Sequence, residues 1–390
     1  MDLEAFRWLL TEPGQQLLAR AAVVATEHPG DPVRAAGALR RSADSPAHAA
    51  AARTQVDLRV RAAAKLGDDA ARMYFTPDGL EQATGARVAA HRAARVSLSE
   101  PASVLDLGCG IGGDLVALAR AGLTVGAVDS DELRVEVARA NLAALGLGGA
   151  VQAASAGDVD VRGFGVVFAD PARRTARGRV FDAEGWSPPW PFVASLLLRP
   201  SVVKVAPGIP HTLVPQGVEA EWVSDAGDVK EAALWSPQLA TVRRRATVIR
   251  GAGLTTLTDE DETASDVRAV GRWLYEPDGA VVRAGLVTAV AAGVHGGLVD
   301  EHIAYVTGDE PFATPFARCY EVLEELPYRE KALRAALRAR GVGRLTIKKR
   351  GVQVVPEELR RRLALSGDAE ATVVLTRVAG KGTALLVRPR

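Results

Sequence analysis

Four aspartates stand where a chain could hold a small ligand: Asp106, Asp129, Asp158 and Asp170 each fall at or just beyond the end of a short apolar run. The first is the most informative. Val104-Leu105-Asp106-Leu107 runs directly into Gly108-Cys109-Gly110-Ile111-Gly112-Gly113-Asp114. Glycines at that density let the backbone turn sharply and approach a ligand without Cβ clashes. The helix expected to follow, from Asp114 to Ala121, points its N-terminus at whatever occupies the turn.

Two ligand classes compete. Gly108, Gly110 and Gly113 satisfy the dinucleotide pattern GxGxxG, which alone is a weak signal. Asp106 separates the two, because its carboxylate would repel a pyrophosphate and attract the amino group of S-adenosylmethionine. The next apolar run, Leu123 to Asp129, ends on a second acid, where a carboxylate can accept hydrogen bonds from both ribose hydroxyls, with Ser130 beside it.

These residues, in this order, resemble the class I S-adenosylmethionine-dependent methyltransferases. The resemblance continues through an amphipathic helix, ELRVEVARANLAALGL, through Gly157-Asp158-Val159, and through a fourth run, VVFAD, which ends in Asp170-Pro171-Ala172-Arg173-Arg174. It implies S-adenosyl-L-methionine as cofactor, held by Asp106, Gly108, Gly110, Gly112, Asp129, Ser130 and Asp158, the last at the adenine amine. It also implies that polar groups of Thr76, Glu81 and Gln82 lie near the methionine end; capping of their own helix is the alternative reading of these three. Asp170, Pro171 and Arg173 then occupy the catalytic face.

An amine-directed member of that family often carries Asp or Asn, two prolines and an aromatic at this face. Here Ala172 replaces the second proline and Arg173 the aromatic, so Trp186, Trp190 or Phe192 would have to supply a stacking ring, unless those aromatics simply pack beneath the loop. Arg173 is reminiscent of carbon-5 pyrimidine methyltransferases, but their mechanism needs a thiolate, and no Cys lies in the second half of this domain. Arg173 and Arg174 could instead clamp a substrate phosphate, with Lys204 and His211 lining the same cleft.

The elements that must position these residues divide the chain in three. Residues 1–98 are Ala-, Arg- and Leu-rich with helical periodicity, broken by Pro13, Pro29, Pro32, Pro46 and Pro77, and read as a helical domain. Residues 99–255 alternate strands and helices. They predict an α/β, Rossmann-like methyltransferase domain with a mostly parallel seven-stranded sheet, closed by EAEWVS and RATVI as an antiparallel pair. In that reading Gly227 to Glu231 belongs to a connection. After the acidic stretch TDEDETASD, residues 256–390 predict an α+β domain: a strand or turn and a helix in WLYEPDGAVVRAGLVTAVAA, a helix near Phe316 to Leu326, a strand GRLTIKKRG, a helix EELRRRLAL, and strands ATVVLTRV and GTALLVRP. This region resembles the THUMP-like domain found behind some bacterial methyltransferase domains; THUMP domains proper bind RNA.

Charge supports the same partner. Residues 329–390 hold 16 Lys and Arg against 5 Asp and Glu, while the whole chain carries only +1. Lys348, Lys349, Arg350, Arg360, Arg361 and Arg362 could follow a phosphate backbone; a solvated helix face in an Arg-rich chain is the plainer account. No apolar run approaches membrane-span length and the start carries acids where a signal peptide wants bases, so neither a membrane nor export is expected and the cytoplasm is the expected location. Cys109 and Cys319 suggest neither a disulfide nor a metal site, and Cys109 reads as a small residue packed in the turn. The expected activity is transfer of a methyl group to a base nitrogen of tRNA or rRNA. The alternatives are a small-molecule methyltransferase with the C-terminal domain as lid or dimer interface, and a cofactor- and RNA-binding module without turnover.

Overall fold

Of the five prolines that interrupt the first hundred residues, four begin helices rather than break them, and Pro29 lies in a turn. Helices α1 (Leu3–Leu9), α2 (Glu12–Glu27), α3 (Pro32–Arg40), α4 (Pro46–Leu66) and α5 (Pro77–Gln82) are capped by Asp2, Thr11, Asp31, Ser45 and Thr76, whose side chains each accept a backbone N–H three residues on. Pro13, Pro32, Pro46 and Pro77 occupy the first turns behind four of these caps, where the missing N–H would have no helical partner. Helix α6 (Ala86–Ser97) follows. Phe6, Leu9, Leu18, Leu39, Leu58 and Phe75 form the buried interior of this bundle, each such side chain contributing roughly 1.5–3 kcal/mol.

The computed structural model describes residues 1–173, 186–187 and 189–390, without the side chains of residues 172, 173, 186 and 187. Its chain contacts separate two compact units, Met1–Glu219 with Ala233–Thr241, and Ala220–Ala232 with Val242–Arg390. In the first unit the chain continues through β1 (Val104–Leu107), α7 (Gly113–Arg120), β2 (Val125–Asp129), α8 (Glu132–Ala144), β3 (Ala150–Ala153) and β4 (Val166–Ala169). Two-residue strands β5 (Ala172–Arg173) and β6 (Trp186–Ser187) pair with each other, and α9 (Trp190–Leu196) and β7 (Ser201–Val205) follow. Hydrogen-bonded order is β3-β2-β1-β4-β7, every neighbour parallel, with Val104 opposite Val125 on one side and Val166 on the other. All four residues of β1 and of β4 are buried, as strands covered on both faces must be. Their C-terminal ends therefore share one edge of the sheet.

A strap before α5 is tied to this sheet layer by two fully buried amides. Gln55 of α4 donates to the Phe75 carbonyl (2.6 Å) and accepts from its N–H (2.9 Å). Asn141 of α8 accepts from Tyr74 N–H (2.6 Å) and donates to the carbonyls of Tyr74 (3.1 Å) and Ile111 (2.8 Å). Each bond contributes about 1 kcal/mol, and loss of either side chain would leave buried backbone groups unpaired at greater cost.

The closing strands differ from the sequence expectation. Among the described residues nine strands, not seven, make up the sheet that contains β1. The segment after β8 (Glu219–Asp225) is not a connection: Ala226 and Gly227, both at positive φ (54° and 89°), form a two-residue turn into β9 (Asp228–Trp235). That is the turn conformation whose twist suits a hairpin, and Ala at the first position hid it. RATVI lies in β10 (Arg244–Arg250), which runs parallel to β8 and antiparallel to β11 (Gly253–Thr258), so EAEWVS and RATVI are not an antiparallel pair.

The second unit also contains β12 (Trp273–Pro277), α10 (Gly279–Ala284), α11 (Val287–Gly293), β13 (Gly297–Asp300), β14 (Ile303–Gly308), β15 (Ala317–Leu326), α12 (Glu330–Ala339), β16 (Val342–Lys349), α13 (Pro356–Leu363), β17 (Ala369–Val378) and β18 (Lys381–Pro389). These strands form a seven-stranded sheet in the order β13-β14-β12-β15-β18-β17-β16. The helix expected near Phe316 to Leu326 is strand β15. Its Glu and Leu residues favour a helix, but pairing to β12 on one side and β18 on the other supplies a backbone ladder along both edges, and Glu321 is bracketed by Arg272 and Arg388.

Candidate active site

The C-terminal ends of β1, β2 and β4 open into a cavity of about 880 Å³ in the first unit. Of the residues singled out in the sequence, Gln82, Asp106, Gly108, Gly110, Asp129, Ser130, Asp170 and Pro171 line it. Gly112 does not. It adopts φ 85° at the start of α7 and packs on Ala138, where an added Cβ would sit 3.3 Å from that residue's methyl. Asp158 is exposed in a short turn whose preceding residues, Ser155 to Gly157, do reach the cavity. Thr76 caps α5 through Gly79 N–H (3.0 Å), and neither it nor Glu81 is among the lining. Lys204 lines the cavity and His211 does not. Phe192 is the one aromatic of the Trp186, Trp190 and Phe192 set on the wall, although the Trp186 side chain, like that of Arg173 and like Arg174 as a whole, lies outside the described residues.

Asp129 holds the turn that it faces. Gly110 N–H donates to its Oδ2 (2.9 Å) and Asp131 N–H to its Oδ1 (3.0 Å). Each oxygen keeps a lone pair for a further donor. Gly108 and Gly110 take φ 84° and 56°, a backbone that disfavours any side chain, and a side chain at Gly110 would project into open space.

Asp106 is the anomalous group. It is 1% exposed, and among the described residues neither carboxylate oxygen has a hydrogen-bond partner. Burial, reinforced by the carboxylates of Asp114 and Asp170 and opposed by Arg92, pushes its carboxyl well above the usual range. A buried acid with both oxygens unmet requires a cationic donor or a proton. The donor set therefore fits a cofactor bearing an amino group, with Asp106 for the cation, the glycine turn for close backbone approach and Asp129 for ribose hydroxyls.

That environment fixes a pH dependence. A cationic ligand favours ionised Asp106, so binding should release a proton, and affinity should rise with pH until the raised carboxyl is ionised in the free protein. Calorimetric titration with S-adenosylmethionine in buffers of different ionisation enthalpy would count that proton. The release should vanish in Asp106→Asn; equal release in both proteins would remove Asp106 from the cation's reach.

A network invisible in the sequence lies beside this acid. Lys204 Nζ donates to Asp170 Oδ2 (2.6 Å) and to Thr84 Oγ1 (3.1 Å); Thr84 donates to Asp114 Oδ2 (2.7 Å), and the other oxygen of Asp114, Oδ1, pairs with Arg92, 3% exposed. Arg92 in turn lies over the Phe168 ring (4.7 Å). Thr84 and Asp114 line the cavity with Lys204. Burial pushes the Cys109 thiol up, which favours the neutral thiol over the thiolate at this lining residue. Among the described residues, no group of three or more His, Cys, Asp or Glu is placed to hold a metal ion, and no helix is long and apolar enough to cross a membrane.

A parallel sheet with a glycine turn after its central strand and acids at successive strand ends defines a Rossmann-like nucleotide-cofactor protein. Comparison with known proteins narrows this. The chain is 39% identical, over 348 residues, to an uncharacterized S-adenosylmethionine-dependent methyltransferase of Mycobacterium tuberculosis, in both the CDC 1551 / Oshkosh and the H37Rv strain, covering 85% of this chain and 95% of the relative. The chain belongs to the S-adenosylmethionine-dependent methyltransferases. Residues 317–389 match the family described as THUMP domain-like, and residues 2–62 match a domain of unknown function. A candidate methyltransferase of Porphyromonas gingivalis W83 shares the fold, with a TM-score of 0.74 over 96% of this chain and 98% of that one at 22% identity.

Proposed function

We propose that this enzyme methylates a base nitrogen of RNA. The observation that carries the reading is the placement of Asp170-Pro171 and the Phe192 ring on the cavity that also holds Asp106 and Asp129. Bound S-adenosylmethionine supplies an electrophilic methyl on sulfur. In this reading Asp106 accepts the cofactor's amino group, the Gly108 to Gly110 turn gives it close approach, Asp129 and Ser130 hold the ribose, and the Ser155 to Asp158 turn meets the adenine. Asp170 and its neighbouring backbone hold the acceptor's N–H and aim the nitrogen lone pair, so the rate gain comes from in-line positioning. Phe192 offers a face on which a planar base can stack.

The THUMP domain-like match at residues 317–389 supports an RNA acceptor. Of the six basic residues singled out there, Lys349, Arg360, Arg361 and Arg362 are exposed, and Lys349 and Arg361 carry the main part of the proposed phosphate contacts. The other four also meet groups of the chain itself: Lys348 pairs with Glu276 (2.6 Å), Arg350 lies over Tyr305 (5.4 Å), Arg360 donates to the Leu345 carbonyl (3.0 Å) and Arg362 pairs with Glu330 (2.9 Å). That engagement favours, as the second reading, a small-molecule acceptor with this region as a lid or dimer surface.

Mass spectrometry of nucleosides from RNA of cells with and without the gene tests the first reading: one methylated base should disappear with the gene. Binding of mixed RNA should weaken with salt at a logarithmic slope of about −0.7 per phosphate, and replacing Lys349 and Arg361 together should flatten it by up to about 1.4. Unchanged nucleosides and a salt-independent signal would put the small-molecule reading first.

A further inference from the structure

The carboxylate expected to receive the acceptor already carries an alkylammonium. Lys204 Nζ sits 2.6 Å from Asp170 Oδ2, with the lysine side chain 16% exposed and the aspartate 35%. Without Lys204 the half-exposed Asp170 carboxylate at the acceptor end would be an anionic receptor well suited to a protonated amine. Such an amine has no lone pair to attack with. Lys204 occupies that role with the chain's own amine, and Thr84 fixes it from a second side at 3.1 Å. Asp170 Oδ1 is the oxygen left for a hydrogen bond from an uncharged N–H.

We infer that Lys204 is a specificity-determining residue: by neutralising Asp170 it rejects protonated alkylamines and restricts the acceptor to an uncharged, weakly basic nitrogen of the kind an aromatic ring carries. The inference rests on the assignment of Asp170 to the acceptor but not on the acceptor being RNA. Rejection is electrostatic: a second ammonium within a few ångström of Nζ in a half-buried site meets a repulsion that water screens incompletely.

The probe is an S-adenosylmethionine analogue carrying an amino-substituted carbon in place of the methylated sulfur, whose ammonium is directed to the acceptor end. Its affinity is taken relative to uncharged-sulfur S-adenosylhomocysteine, so that general damage to the cofactor site cancels. Lys204→Gln should raise this ratio at least about tenfold and Lys204→Arg, which keeps the charge, should leave it within about twofold of the wild type. Asp170→Asn, which leaves Lys204 uncompensated, should lower the ratio about tenfold; it provides the decisive reading if the glutamine variant does not fold. As a second readout, Lys204→Gln should bind propylammonium at least about tenfold more tightly than the wild type does, by calorimetry. An unchanged ratio in Lys204→Gln or in Asp170→Asn, or an arginine variant that behaves like the glutamine one, would overturn the inference. Because these are binding measurements without RNA, absence of RNA methylation in the wild type would defeat the functional proposal and leave this one standing.

Discussion

Asp170→Ala is expected to lower methyl transfer by about a hundredfold or more while changing the affinity for uncharged-sulfur S-adenosylhomocysteine by less than about threefold. The expectation follows from position. Asp170 follows β4 and its Oδ2 is held by Lys204, whereas the group proposed for the cofactor's amino function, Asp106, and the turn held by Asp129 belong to β1 and β2. Removing a group that only orients the acceptor costs kcat, since an attacking nitrogen that is no longer aimed reacts about as slowly as an unbound one. Calorimetry for binding and single-turnover transfer of labelled methyl groups for chemistry separate the two quantities. Equal transfer rates in mutant and wild type would reduce Asp170 to a partner for Lys204.

The complementary substitution, Asp129→Ala, should weaken cofactor binding by roughly 1.5–3 kcal/mol for each charge-assisted hydroxyl bond lost, hence about tenfold to more than a hundredfold. A further loss is built into the structure. The Gly110 and Asp131 N–H groups would lose their acceptor, and the turn that approaches the cofactor would lose the group that sets its shape. Asp129→Asn, which keeps one oxygen acceptor, should fall between the two proteins. A folded alanine variant with wild-type affinity would show that the ribose is held elsewhere.

Much of this site could be read in the chain because its parts are local. The run from Val104 to Asp114 states a strand, a left-handed turn and a helix start within a few residues, and the VVFAD run ends where β4 ends. What escaped notice is joined across long separations: Thr84 meets Lys204 at 120 residues' distance and Asp114 at 30. No spacing rule connects a threonine after one short helix to a lysine on the fifth parallel strand. Strand β15 escaped for a related reason, since its Glu and Leu residues express a helical preference that two flanking ladders override. Equally, a run of three arginines looks like a phosphate clamp in sequence, yet Arg360 and Arg362 each direct their Nε–H at a group of the chain itself, Leu345 and Glu330.

The buried amides of Gln55 and Asn141 have a consequence for affinity itself. The strap Met73 to Thr76 leads into α5, whose Gly79 and Gln82 form one wall of the cavity, and that strap is fastened to the α4 bundle and to α8 by bonds with no access to water. A wall made from an untethered loop would have to be ordered at each binding event, and the cofactor's apparent affinity would be reduced by the fraction of time the wall was out of place. Here that fraction is set by the opening of a packed interior rather than by the wandering of a surface segment. The ligand meets a surface whose conformational entropy was already lost when the chain folded, so helix α4 acts on the chemistry without touching it.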